Sequence, residues 1–287
     1  MNINLKEFKK IISNLINTIS KNNVSTENDS LERLFELTEP WSMSSADRLN
    51  KNHFKYSEYL LDIMNTLNKL GLQKDILSSH SHYQIAVILG STGPSHYKLW
   101  CDLIWAIMNK DITVDRIILL GGDRQIHPVY DSMQSVYLRH RNDFINQLTD
   151  KEICSCMNEM ELMEKISHSL KLPEEINVID RLSVFTARNK ENKIQTNTEE
   201  TLIHLKHTYT LQNDIPILLL GTLPHLLRQW LQAKRVLKNY KIDMFSRYKP
   251  FYETIDSSYK GKLPAILYLD ELHWLISTML INRRLHL

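Results

Sequence analysis

Ile215-Pro-Ile-Leu-Leu-Leu-Gly221-Thr-Leu-Pro-His225-Leu-Leu-Arg228 is the stretch from which the fold can be read. Its run Ile217–Leu220 is unbroken apolar, the pattern of a strand covered on both faces in a mostly parallel sheet. Gly221 stops the run, Thr222 is placed to cap a following helix, and Pro224 suits that helix's first turn. Leu227, Trp230, Leu231 and Leu237 recur at helical spacing, so the helix can pack back on the sheet. A strand feeding a helix this way leaves free N–H groups and partial positive charge at its carboxyl end, where open α/β sheets bind ligands. His225 and Arg228 are expected on that rim.

The same punctuation occurs twice upstream. Ile85-Ala-Val-Ile-Leu89 runs into Gly90-Ser91-Thr92-Gly93, and Trp100, Leu103, Ile104 and Ile107 then mark a helix. Arg116-Ile-Ile-Leu-Leu120 runs into Gly121-Gly122-Asp123-Arg124. A weaker strand is expected at Glu175-Ile-Asn-Val-Ile179, and a short one at Ile242-Asp-Met-Phe245. Residues 125–171 are long for a crossover and read as an excursion over the sheet. The pattern predicts an α/β fold with a doubly wound, mostly parallel, Rossmann-like sheet and an N-terminal helical region. Residues 1–80 are expected to form a helical cap, 81–250 the core, and 251–287 a helical extension packed on it. The apolar stripes of the cap (Leu5, Phe8, Ile12, Leu15, Ile16 and Ile19 on its first helix) would ordinarily cover the core; docking of a protein partner through residues 1–80 is the alternative.

Composition narrows the function classes. Lys+Arg 35 against Asp+Glu 33 leaves a formal charge of +2, which gives no support to nucleic-acid or anionic-membrane binding. Cys101, Cys154 and Cys156 do not form a disulfide framework. Residues 265–281 are apolar-rich, but Asp270, Glu271 and His273 interrupt them, so no membrane span is expected. The start shows no signal-peptide pattern. A cytoplasmic protein is the reading, with secretion by a specialised route left open.

The candidate site residues each have a plainer explanation. Gly90, Ser91, Thr92 and Gly93 offer small residues and N–H groups at a helix entry, a cradle for phosphate or carboxylate or an ordinary tight turn. They match neither a dinucleotide fingerprint nor a Walker loop. After Gly121 and Gly122, Asp123 can hold a ribose hydroxyl, a metal or a proton, and Arg124 can clamp an anion; a surface ion pair is the alternative. Thr196 with Glu199, or Asn197 with Glu200, fits a capping box, which alone explains Thr196-Asn197-Thr198-Glu199-Glu200. His225, near a helix N-terminus, tends toward neutral imidazole, and Arg228 supplies permanent charge. Cys154-Ser-Cys156 lacks zinc-ligand spacing, so no metal site is assigned.

Taken in order, these motifs resemble the YdcF/SanA/ElyC-like domain, a bacterial domain of unknown function with a Rossmann-like sheet. They are Ala86-Val-Ile-Leu-Gly90, Ile118-Leu-Leu-Gly-Gly122, Glu159 ahead of Leu172-Pro-Glu-Glu-Ile, Gln195-Thr-Asn-Thr-Glu-Glu200, and Leu220-Gly-Thr-Leu-Pro-His-Leu-Leu-Arg228. The resemblance covers about residues 84–245. It implies a shared pocket lined by Glu159, Asn197, Thr198, Glu200, His225 and Arg228. The chain departs from the family at Leu120, Met160 and Thr201, where a Ser, an Ala and an Asn are usual. The resulting expectation is a small anionic or nucleotide-like ligand, S-adenosylmethionine among the candidates, at the strand carboxyl ends. No cofactor is assigned. His225, Glu159 or Asp123 would handle a proton; Arg228 and Arg124 would hold the anion, with Gly221 and Thr222 contributing from their loop. Group-transfer or phosphoester chemistry is the reaction class. The departures support the alternative, a catalytically degenerate domain acting as a protein-interaction module or secreted bacterial effector.

Overall fold

The computed structural model describes residues 4–20, 30–43, 55–110, 112–128, 131–176, 179–183, 198–247 and 265–284. Its strands are β1 (His82–Tyr83), β2 (Ile85–Leu89), β3 (Thr113–Val114), β4 (Ile117–Gly121), β5 (Ile179–Ser183), β6 (Ile217–Leu220) and β7 (Ile242–Phe245). Its helices are α1 (Leu5–Ser20), α2 (Leu31–Thr38), α3 (Leu60–Lys69), α4 (Gly93–Lys110), α5 (Gln134–His140), α6 (Asp150–Cys154), α7 (Glu159–Ser169), α8 (Thr198–Thr208), α9 (His225–Val236) and α10 (Ala265–Arg284).

The central sheet has the order β5-β4-β2-β6-β7, every pair parallel. Ile88, Leu220 and Phe245 stand level across β2, β6 and β7. Alternate strand residues feed opposite layers. Ala86, Ile88, Ile117, Leu119, Leu218, Leu220 and Phe245 meet Leu99, Trp100 and Leu103 of α4 and Met160, Met163 and Ile166 of α7. Ile85, Val87, Leu89, Ile118, Leu120, Ile217 and Leu219 meet Leu202 and Leu205 of α8 and Leu226 and Ala233 of α9. The chain therefore leaves β2 toward one layer and β6 toward the other. Adjacent strands whose helices depart to opposite faces define the topological switch point of a doubly wound sheet.

A third apolar cluster joins the two ends of the described chain. Phe8, Ile12 and Ile16 of α1, Leu31 and Leu34 of α2, and Ile63 and Leu67 of α3 surround Leu269, Leu272, Leu275 and Ile276 of α10, with Leu227 of α9 among them. The apolar stripes of the N-terminal helices are thus spent inside the protein. The polar residues that break the α10 run are each used. Asp270 Oδ1 accepts from the Met43 backbone N–H at 2.8 Å and from Trp274 Nε1 at 3.1 Å, and His273 Nδ1 lies 3.0 Å from Thr38 Oγ1. Among the described residues, no helix is long and apolar enough to cross a membrane.

Several local expectations shift. The third sheet strand is Ile179–Ser183 rather than residues 175–179, because Pro173 starts a turn closed by Ile176 N–H on its carbonyl at 3.0 Å. Thr222 does not cap α9 with its side chain. Its carbonyl accepts from Leu226 N–H at 3.0 Å, and Pro224 stands just outside the first turn. β1 and β3 pair in parallel as a separate small sheet, and two residues apiece are too short to show a period. Gly71, with φ 72, ends α3 where its backbone must turn left-handed, and Leu72 N–H then reaches the Leu67 carbonyl at 2.8 Å.

Leu227 lies at the junction of α9 with the helical cluster and is fully buried. Leu227→Ala is expected to cost about 2–5 kcal/mol through lost burial and the cavity left behind, read as a lower urea midpoint.

Candidate functional site

At the carboxyl ends of β2 and β4, one buried network closes both glycine turns. Asn158 caps α7 by accepting from Glu161 N–H at 3.1 Å, and Glu159 N–H donates to the Arg124 carbonyl at 2.8 Å. These bonds fix Glu159 at the first position of α7, where the helix dipole favours a carboxylate. Its Oε2 accepts from Gly122 N–H at 3.1 Å and its Oε1 from Arg124 Nε at 3.0 Å. The same carboxylate lies against Gly90: a Cβ there would sit 2.2 Å from Oε2. Gly121 has the matching role beneath, admitting the sulfurs of Met160 and Met163 against β4.

Arg124 is held on its other side by Asp131, whose two oxygens receive Nη1 and Nη2 at 2.9 Å each. Burial works against the guanidinium's charge, but Asp131 and Glu159 outweigh it and strengthen its hold on the proton. Asp131 also accepts from Gly93 N–H at 3.1 Å and from His127 N–H at 2.8 Å. Asp131 thus serves as the acceptor at the start of α4. Ser91 and Thr92 turn inward on their own loop, Ser91 Oγ donating to the Thr92 carbonyl and Thr92 Oγ1 to Ser95 Oγ. The N–H groups expected to cradle an anion at Gly93 and Gly122 are therefore already bonded to carboxylates. Asp123 is buried beside Arg124.

His225 and Arg228 belong to a second network. Both turn to Glu271 of α10, whose side chain is 4% exposed. Glu271 Oε2 lies 2.6 Å from His225 Nδ1, and its Oε1 accepts from Arg228 Nε at 2.7 Å. Arg228 Nη2 reaches Oε2 at 3.2 Å. Burial alone would raise the Glu271 pKa; Arg228, then His225, overcome that and hold it down at about 2. An ionised carboxylate only accepts, so Nδ1 carries a proton and donates to Glu271 from a side chain 41% exposed.

The expected constellation is thus two networks, each closing on itself among the described residues. Gly90, Gly93, Gly122, Arg124 and Glu159 come together, whereas His225 and Arg228 face the seam between α9 and α10. Thr198 and Glu200 occupy the first turn of α8, half-buried, and Thr201 Oγ1 donates to the Thr198 carbonyl at 2.9 Å. Asn197, with Thr196 of the suggested capping box, lies outside the described residues. Glu199 is ion-paired with Arg235. At Gly221, a Cβ would lie 2.6 Å from Gln229 Oε1, which is buried without a partner among the described residues. Sequence reasoning missed Asp131, Gln229 and Glu271. Only Glu271 carried a signal, as an acid inside an otherwise apolar helix.

Two outcomes follow from this geometry. Gly90→Ala is expected to destabilise by about 1–3 kcal/mol, because its methyl group displaces the Glu159 carboxylate. In a Glu159→Ala background the same substitution costs less, measured as a double-mutant cycle in urea. For Glu271, a folded pKa below the ordinary 4.5 means stability that is full above about pH 4.5 and lost as pH falls toward 2. Glu271→Gln is expected to cost about 3 kcal/mol at neutral pH and to flatten the urea midpoint over that acid interval.

Comparisons with protein-family models, with curated proteins and with solved structures return no match for this chain.

Proposed function

We propose that this chain binds a nucleoside-like small molecule in the crevice at the carboxyl ends of β2, β4 and β6. One observation carries the reading: Glu159, ionically held by Arg124, lies across the Gly90 and Gly122 turns beside the switch point. Such crevices receive the ligand in open α/β sheets. Occupied N–H donors and two carboxylates around one arginine disfavour a phosphate at these turns. They suit hydroxyl or amino groups, such as those of a ribose, through the lone pairs that Glu159 keeps. Adenosine-bearing ligands, S-adenosylmethionine included, fit this description, and a YdcF-like relationship would place Glu159 in the same role.

Where the bound molecule reacts, Glu159 is the carboxylate beside it that can handle a proton, since His225 belongs to the separate network at the α9–α10 seam. Group transfer or phosphoester chemistry remains the reaction class to assay. A ligand at about a hundred times its Kd adds about 2.7 kcal/mol of stability, a shift of about 4–5 °C for a chain of this size. Melting with adenosine and with S-adenosylmethionine is expected to show such a shift, reduced by Glu159→Gln. Absence of any shift with either compound at millimolar concentration would reject the reading.

A further inference from the structure

A separate group of side chains stands further along the rim. On α4, Lys98 Nζ donates to Asp102 Oδ2 one turn away, and the two side chains are 8% and 1% exposed. Asp102 Oδ2 also accepts from the Arg247 backbone N–H at 3.1 Å, and Lys98 Nζ lies 3.4 Å from Ser246 Oγ. Ser246 and Arg247 follow β7 directly. The Arg247 guanidinium lies over the Trp105 ring at 4.4 Å, and its Nε–H is buried with no acceptor among the described residues. Lys98 is thus paired with Asp102, while Arg247 meets that carboxylate through its backbone and leaves its guanidinium over Trp105.

Burying an ionic donor without an acceptor is costly, and the group that removes the cost is an anion. A guanidinium carries a planar fork of N–H donors that matches the oxygens of phosphate. Lys98 adds a second buried charge. Because Ile88, Leu220 and Phe245 are level, Arg247 stands near the height of the Gly90 and Gly221 turns. It is two strands from β2, about 10 Å along the rim. Glu159 and Asp131 occupy the glycine turns, so positive charge lacking a full set of acceptors is found here instead.

We propose that Arg247 and Lys98 form an anion subsite at the carboxyl end of β7 that takes a phosphate group. The inference rests on the crevice reading only for the other end of a phosphorylated ligand; binding of phosphate itself does not depend on it. The test is titration of the full chain with inorganic phosphate and with adenosine 5′-monophosphate, followed by calorimetry and tryptophan fluorescence. Saturable binding of phosphate is expected, weakened about tenfold by Arg247→Gln and less by Arg247→Lys, and unchanged by Arg33→Gln at an exposed position of α2. Tighter binding of the nucleotide than of phosphate supports a subsite for the ligand's own phosphate, and equal binding supports a site for the free ion. Circular dichroism checks that each variant is folded, and Arg247→Lys keeps the test valid if Arg247→Gln is not. No saturable binding of either probe up to about 10 mM, or binding unchanged in both Arg247 variants, overturns the proposal. A negative result with uncharged adenosine bears on the crevice alone.

Discussion

The contact on which the arrangement of core and helical cluster depends is a carboxylate taken out of water. Glu271 sits inside a helix otherwise devoted to apolar packing, and its charge is maintained by Arg228 and His225. A buried ion is tolerated only when paired and hydrogen-bonded, so α10 cannot slide or rotate on α9 without stranding it. Leucine-on-leucine contacts would accept several registers; this one does not. Asp270 and His273 extend the constraint to Met43 and Thr38, so three polar residues set how the cap sits on the sheet.

The rim shows how polar accounting shapes a site. A glycine turn at a helix entry invites an anion because its N–H groups lack partners. In this protein the invitation is answered internally: Asp131 reaches the start of α4 from a distant segment, and Glu159 descends from α7. Glycine is required at position 90 less for its backbone freedom than for the space a carboxylate fills. Asp131 is fully buried, so what stays exposed at these turns is a small part of Glu159 and the partly exposed face of Arg124.

The sheet was legible because its strands are covered on both faces. Ile85–Leu89 and Ile217–Leu220 read as continuous apolar runs ended by glycine, and both stand where that pattern puts them. Polar partnerships were less legible, since they depend on residues brought together from afar. Asp131 lies in a segment without periodicity, and nothing local marks it as the acceptor for Gly93. His225 and Arg228 do stand at the head of the helix that follows Ile217–Leu220, but helical spacing alone does not tell that they turn to Glu271 rather than to the rim. The interruption of an apolar run by Asp270, Glu271 and His273 excluded a membrane span; read for what buried charge demands, it also required partners elsewhere in the chain.

The placement of α10 carries a consequence for how the molecule is made. The apolar stripes of α1, α2 and α3 close around a helix that leaves the ribosome after every strand of the sheet. While the polypeptide is growing, those early helices have no permanent surface to cover, and exposed apolar stripes invite aggregation. The sheet with its two flanking layers can assemble first, leaving α1, α2 and α3 to find their final position only when the last described helix arrives.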